Sequence, residues 1–147
     1  MTVVSISRSG SADWSGGLDT GSGAVSLQSG ALSAYPYGFH SRFGEVSGTN
    51  PEELLGAAHA ACYSMALSLY LEELDYPAHT LQVTSRVTLS GNPRHLRISK
   101  IVLTVAAAIP DASNEIFQRL AFEALQRCPI SQLVKIEVDL RAVLRSV

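Results

Sequence analysis

One long segment with helix signals at both ends lies in the middle of this chain, where residues 50–77 read NPEELLGAAHAACYSMALSLYLEELDYP. Asn50 is a favourable helix cap, and Pro51 suits the first helical position. At the other end, Pro77 cannot continue a helix and also restricts the residue before it. The sequence therefore predicts a central helix over residues 50–74.

The uncharged part of this segment, residues 54–71, is 18 residues long, so a membrane span has to be weighed. It is rich in alanine and contains the polar His59, and it is flanked by acids rather than by the Lys and Arg that orient a span. A helix that is apolar on all sides is more simply the buried centre of a domain. We therefore expect no membrane insertion.

Patterns on both sides of the central helix predict an α+β fold with antiparallel sheets around two central helices. The region before it is rich in Gly and Ser, with a hairpin turn indicated at Gly16-Gly17. After it, period-2 alternation indicates strands, and i+4 spacing indicates a second helix. We expect one domain over residues 1–147, with a β-meander over 1–48, the helix over 50–74, strands over 80–107, a helix over 111–128 and a strand over 133–144.

Composition argues against several functions. The chain has 11 Lys+Arg against 13 Asp+Glu and a net charge of −2, so it has no basic footprint for nucleic acid or anionic lipid. The first residues have no charged region leading into an apolar stretch, so we expect a cytoplasmic protein. Structural disulfides are rare in that compartment, which makes a cysteine pair either redox-active or unpaired.

The chain has two cysteines, Cys62 in the central helix and Cys128 directly before Pro129 at the end of the second helix. They are either an attacking and a resolving thiol or two inert buried residues. A disulfide between them requires Cα atoms within ~7 Å, which only the tertiary fold can provide. A helix end moves more easily than a helix interior, so Cys128 fits the resolving thiol better.

His59 lies three residues before Cys62 and is its neighbour on the helix surface. A His-Cys pair is also found in cysteine hydrolases, which use the imidazole as a base. The competing interpretation is a hydrogen-bonded core histidine. We expect no metal site, because two ligands on one helix do not complete a zinc shell.

An aromatic loop, residues 35–43, surrounds Arg42, which either stacks on a ring or holds a thiolate or peroxide oxygen inside an apolar wall. Glu52 is a second candidate, although an acid near a helix start also favours the helix dipole. It precedes Cys62 by ten residues, or ~15 Å along a helix axis. The two cannot touch within one straight helix, so a functional Glu52 implies a dimer.

Four motifs together closely resemble the OsmC/Ohr superfamily, over nearly the whole chain and in order. They are the Trp14-Ser15-Gly16-Gly17-Leu18 hairpin, the aromatic loop from Tyr35 to Phe43, the block from Gly48-Thr49-Asn50-Pro51-Glu52 to Ala57-Ala58-His59-Ala60-Ala61-Cys62, and Cys128-Pro129-Ile130-Ser131-Gln132.

The resemblance implies an intertwined α+β homodimer of the OsmC-like fold. It also implies a thiol-dependent peroxidase that reduces organic hydroperoxides, and hydrogen peroxide less well, in oxidative or osmotic stress. In such an enzyme Cys62 attacks the peroxide, and Cys128 resolves the resulting sulfenic acid as a disulfide. Arg42 and Glu52 match a polar pair that lowers the Cys62 pKa and orients the substrate.

No cofactor is implied beyond an external thiol or dithiol reductant, for which a lipoylated protein is one candidate. An apolar wall suited to an alkyl or aryl hydroperoxide is expected from Tyr37, Phe39, Phe43, His59 and Met65. The alternative is a non-catalytic binding module that holds a small apolar ligand and whose cysteines are inert.

Overall fold

A computed structural model describes residues 3–92 and 94–146. The chain divides into two units, Met1–Pro51 and Glu52–Val147, each with its own three-stranded sheet. The first unit contains β1 (Gly10–Ser15), β2 (Ser22–Leu27), β3 (Tyr35–Tyr37) and α1 (Phe39–Phe43). The remaining elements are α2 (Pro51–Glu73), β4 (Thr80–Asn92), β5 (His95–Ala108), α3 (Asn114–Arg127), α4 (Pro129–Leu133) and β6 (Val138–Arg145). That the whole chain is one domain stays a prediction.

The first unit is the expected antiparallel meander, in the order β1-β2-β3. The hairpin at Gly16-Gly17 is present, but its loop is longer than a two-residue turn. Gly16 has φ +93° and the N–H of Gly21 donates to the carbonyl of Gly17 at 2.8 Å, so Leu18 belongs to the loop. A residue with a side chain would be strained at position 16, because few such residues tolerate a positive φ.

The predicted aromatic loop contains both a strand and a short helix. Ser41 explains this local order, because its hydroxyl accepts a hydrogen bond from the N–H of Gly38 at 2.9 Å and donates to the carbonyl of Thr49 at 2.8 Å. The loop also pairs through a bridge between Tyr37 and Thr49. These contacts hold the aromatic side chains in a defined arrangement.

In the second unit the sheet order is β4-β5-β6. Strands β4 and β5 pair antiparallel, as expected for strands that are close neighbours in the sequence. Strand β6 pairs parallel with β5, which corrects the expectation of antiparallel pairing throughout. The physical reason is that the helices α3 and α4 lie between β5 and β6, and a helical crossover returns the chain in the same direction.

The core of the second unit is formed by inward stripes of two helices and one strand. Spacing of three and four residues places the buried side chains of each helix on one face. The stripe of α2 contains Gly56, His59, Tyr63, Leu67 and Leu71; that of α3 contains Phe117, Leu120, Ala121, Ala124 and Leu125; β5 contributes Ile101, Leu103, Val105 and Ala107.

Two predicted boundaries differ from the structure. The second helix starts at Asn114 rather than at residue 111, because Asp111 has φ +61° and the Ser113 hydroxyl caps the helix by accepting from the N–H of Ile116. The last strand starts at Val138 rather than at residue 133, because the chain first forms α4.

Helix α2 is long and apolar enough to cross a membrane, judged by length and composition alone. Its inner stripe packs into the core of the second unit, in agreement with the core-helix interpretation. The opposite face is apolar and uncovered in the single chain, with Met65 75% and Leu69 53% exposed. An exposed apolar face of this kind is typical of a surface that meets a partner.

We expect Gly56→Ala to destabilise the protein, since an added Cβ would lie 2.7 Å from the carbonyl oxygen of Ser85 on β4. Alanine favours a helix over glycine by ~1 kcal/mol. The overpacking should exceed that gain, with a cost of about 1–3 kcal/mol in the free energy of unfolding by urea. Glu123→Ala, at an exposed position of α3, is the control and should change stability little. Equal or higher stability of Gly56→Ala would contradict the close packing.

Candidate active site

The structure brings the two cysteines together although 66 residues separate them in sequence. Cys62 lies on α2 and is half-buried, whereas Cys128 is fully buried, and both are free thiols. Cys62 packs against the buried cluster that contains Cys128, and the two thiols are close enough to affect the pKa of Cys62. The interpretation of Cys62 and Cys128 as an attacking and a resolving thiol requires this proximity, whereas two inert core residues do not require it.

Cys128 occupies the junction between two helices. Its N–H donates to the carbonyl of Ala124 at 2.8 Å, which closes α3, and its carbonyl accepts from the N–H of Gln132 at 3.0 Å in α4. Pro129 forces this break, because it lacks an N–H and suits the first position of a new helix. The expectation that Cys128 lies at a helix end is confirmed.

The contacts within the second unit raise the pKa of the Cys62 thiol. Burial is the largest cause, since it disfavours the thiolate. A backbone hydrogen bond from Ile130 acts in the opposite direction, but the hydrogen bond and the negative charge of Cys128 add to the increase. A thiolate at neutral pH therefore requires a positive charge beyond these contacts.

His59 is fully buried between two serine hydroxyls. Its Nδ1 is 2.9 Å from Oγ of Ser85, and its Nε2 is 2.9 Å from Oγ of Ser131. Burial lowers the His59 pKa, so the imidazole is neutral and donates to one serine while accepting from the other. This is the hydrogen-bonded core histidine that the sequence left open. With no exposed surface, its ring does not line a surface cavity of the second unit.

The hydrolase interpretation loses its base, because both ring nitrogens of His59 are engaged by hydroxyls. A cysteine hydrolase needs an imidazole nitrogen that is directed at the thiol and an orienting group behind the ring. Neither nitrogen of His59 meets that requirement.

Met65, one helical turn after Cys62, is exposed on the surface of α2.

Glu52 is half-buried in the first turn of α2, the helix that also carries Cys62. The helix runs without interruption from Pro51 to Glu73, so its rise places the two residues ~15 Å apart along the axis. Within one chain, the structure does not bring Glu52 to the thiols.

The aromatic loop forms an apolar cavity of about 160 Å³ within the first unit, with Arg42 in its lining. The guanidinium carbon of Arg42 lies 5.4 Å from the centre of the Phe43 ring, and the rings of Phe39 and Phe43 are 4.9 Å apart. Tyr37 also lines it, and so do Trp14 and Leu18, which the sequence analysis did not assign to a pocket. The sequence signal that could have assigned Trp14 and Leu18 to the cavity was the hairpin motif that contains both residues.

Three further residues at the site were missed. Ile130 and Ser131 contact Cys62 and His59, and the only sequence signal for them was their place in the motif that follows Cys128. Nothing in the sequence marks Ser85, which lies on an ordinary alternating strand.

Within residues 3–92 and 94–146, no group of three or more His, Cys, Asp or Glu side chains could hold a metal ion.

A family model described as OsmC-like protein matches residues 44–142. Peroxiredoxin OsmC of Escherichia coli (strain K12) is 42% identical over 143 residues, which are 97% of this chain and 100% of that protein. Among solved structures, the organic hydroperoxide resistance protein OhrB of Bacillus subtilis has a TM-score of 0.65 at 24% identity, covering 93% of this chain and 98% of that one. An OsmC-like protein of unknown function from Vibrio cholerae has a TM-score of 0.75 at 15% identity, covering 95% and 100%. These two likenesses concern the fold.

Proposed function

The chain belongs to the OsmC-like protein family, and we propose that it is a thiol-dependent peroxidase that reduces organic hydroperoxides. The observation that carries the proposal is the contact between the half-buried Cys62 and the buried Cys128. The relatives support it by name, since one is a peroxiredoxin and another an organic hydroperoxide resistance protein.

The proposed reaction uses the two thiols in sequence. The Cys62 thiolate attacks one oxygen of the peroxide, the O–O bond breaks, and the alkoxide leaves and takes up a proton as the alcohol. Cys62 is then a sulfenic acid. Cys128 displaces its oxygen as water and forms the disulfide, and an external thiol or dithiol reduces that disulfide. The exposure of the two thiols fits these roles, because peroxide reaches the more accessible Cys62 first.

Arg42 is proposed to supply the positive charge that the Cys62 thiolate requires. Contacts within the second unit raise the Cys62 pKa, so a guanidinium that favours the charged form is the missing contribution. Arg42 lines the apolar aromatic cavity of the first unit, and its side chain is exposed there. Glu52 is proposed to complete the polar pair that orients the peroxide, and the same cavity would hold an alkyl or aryl group.

A homodimer is proposed because Glu52 and Cys62 lie on one helix and cannot meet within a chain. The exposed apolar face of α2, which includes Met65 and Leu69, is the surface on which a second copy would pack. The reductant is proposed to be a thiol or dithiol, with a lipoylated protein as one candidate, and the location to be the cytoplasm. A role in oxidative stress defence follows from the proposed activity, and a role in osmotic stress is proposed from the family resemblance alone.

The alternative of a non-catalytic module for a small apolar ligand is disfavoured. The half-buried Cys62 lies beside the buried Cys128, an arrangement that a redox pair needs and a binding module does not. The names of the relatives, a peroxiredoxin and an organic hydroperoxide resistance protein-like protein, also favour a peroxidase over a binding module.

We expect Cys62→Ser to abolish turnover of cumene hydroperoxide with dithiothreitol, because no nucleophile remains. Cys128→Ser should still consume the first equivalent and then accumulate sulfenic or sulfinic acid at Cys62, which mass spectrometry of the peptide identifies. Full turnover by Cys62→Ser would rule out the proposal. If neither substitution changed the consumption of cumene hydroperoxide, the ligand-binding module would be favoured.

Arg42→Gln should raise the pH at which half of Cys62 reacts with iodoacetamide to a value above that of an ordinary thiol. The sign follows from burial, which favours the protonated thiol once the guanidinium charge is removed, so less thiolate exists at any given pH. Arg86→Gln, an exposed cation on β4, is the control and should keep the wild-type profile. An unchanged profile in Arg42→Gln would remove Arg42 from the site.

Co-expression of Cys62→Ser chains with Glu52→Gln chains should restore activity that neither variant has alone. In a mixed dimer, one site receives Cys62 from one chain and Glu52 from the other. Random pairing makes half of the dimers mixed, each with one complete site, so about a quarter of wild-type turnover is expected. If Glu52 acted on Cys62 of its own chain, the mixture would stay inactive.

A further inference from the structure

A buried histidine joins three elements of the second unit, and the reaction described above does not use it. His59 on α2 is hydrogen-bonded to Ser85 on β4 and to Ser131 on α4, each at 2.9 Å. Its side chain has no exposed surface. A buried polar side chain with both nitrogens engaged in this way is costly to disrupt, because a lost partner leaves the other group unsatisfied.

The bridge lies directly beside the two thiols. His59 is one helical turn before Cys62 on α2, and Ser131 is three residues after Cys128. The neighbour of Ser131, Ile130, has its backbone close enough to Cys62 to lower the pKa of that thiol. Two consecutive residues of α4 therefore lie beside two residues of α2, and the chain between them and α3 carries Cys128.

Helix α4 depends on such contacts for its position. It has only five residues, Pro129–Leu133, and a helix of that length is not stable by itself in water. Besides the contacts to α2, it is tied by the N–H of Gln132 to the carbonyl of Cys128 and by the Gln132 side chain to the carbonyl of Gln126 at 3.0 Å. These two bonds of Gln132 lie within α4 and between α4 and α3. Neither of them joins α4 to α2, the helix that carries Cys62.

We propose, on the basis of the peroxidase function above, that His59 and Ser131 are positioning residues for the resolving step. Their hydrogen bond holds α4 on α2, which keeps the Cys128 thiol within reach of Cys62. In that step the Cys128 sulfur attacks the sulfenic sulfur of Cys62, the S–S bond forms and the S–O bond breaks. The oxygen leaves with the Cys128 proton as water, and no further oxidant is needed.

A merely structural role for His59 makes a different prediction. In that case the loss of either serine hydroxyl would weaken the fold and affect the thiols to the same extent. Ser85 offers the matched comparison, since it bonds the same ring at the same distance. Its strand, β4, carries no thiol.

The test is the effective concentration of the two thiols for each other, measured at equilibrium with reduced and oxidised glutathione. Ser131→Ala should lower it about tenfold, which corresponds to a disulfide potential about 30 mV less negative. Ser131→Thr keeps the hydroxyl and should restore the wild-type value. Ser85→Ala should leave the value unchanged while lowering the melting temperature by as much as Ser131→Ala does.

An unchanged effective concentration in Ser131→Ala, or an equal loss in Ser85→Ala, would overturn the positioning role. Glutathione exchange involves no peroxide, so this result does not depend on the proposed activity. A parallel reaction with cumene hydroperoxide separates the two ideas. In Ser131→Ala, sulfenic acid at Cys62 should form at the wild-type rate but persist longer, so that dimedone traps more of it. If wild type consumed no peroxide while the glutathione result held, the positioning would stand and the peroxidase proposal would fall.

Discussion

Helix α2 approaches strand β4 so closely that a single carbon added at Gly56 would meet the carbonyl oxygen of Ser85 at 2.7 Å. The absence of a side chain at Gly56 is what permits this approach, since any larger residue needs a wider separation. One turn later the same approach lets His59 reach the hydroxyl of Ser85. One turn further, it places Cys62 against α4 and the Cys128 thiol. The thiol pair thus depends on how near a helix lies to a sheet.

The surroundings of Cys62 within the second unit favour its protonated form. Burial and the neighbouring Cys128 both keep Cys62 protonated, and the hydrogen bond from Ile130 only partly offsets them. Glu52, which is proposed above to act with Cys62, lies at the far end of the same helix, out of its reach. A protonated thiol is a poor nucleophile, so the proposed peroxidase needs a cation such as the Arg42 guanidinium beside Cys62.

Local patterns were enough to predict much of the fold. The cap at Asn50 and the stop at Pro77 located α2 to within a residue at each end, and alternation located the strands after it. Alternation is the same for parallel and antiparallel strands, so the parallel pairing of β6 could not be derived from it. The start of α3 was missed because nothing local marks the positive φ of Asp111. The hydrogen bonds of His59 span 26 and 72 residues, so no spacing rule could reveal them.

The central claim is that Cys62 and Cys128 form one redox centre. Reduced protein should be mixed with one equivalent of cumene hydroperoxide, without added reductant, and its free thiols and digested peptides analysed. We predict the loss of two thiols per chain, consumption of the peroxide, and a Cys62–Cys128 cross-linked peptide. Two intact thiols beside unconsumed peroxide would contradict the claim and leave the apolar ligand-binding module as the better interpretation.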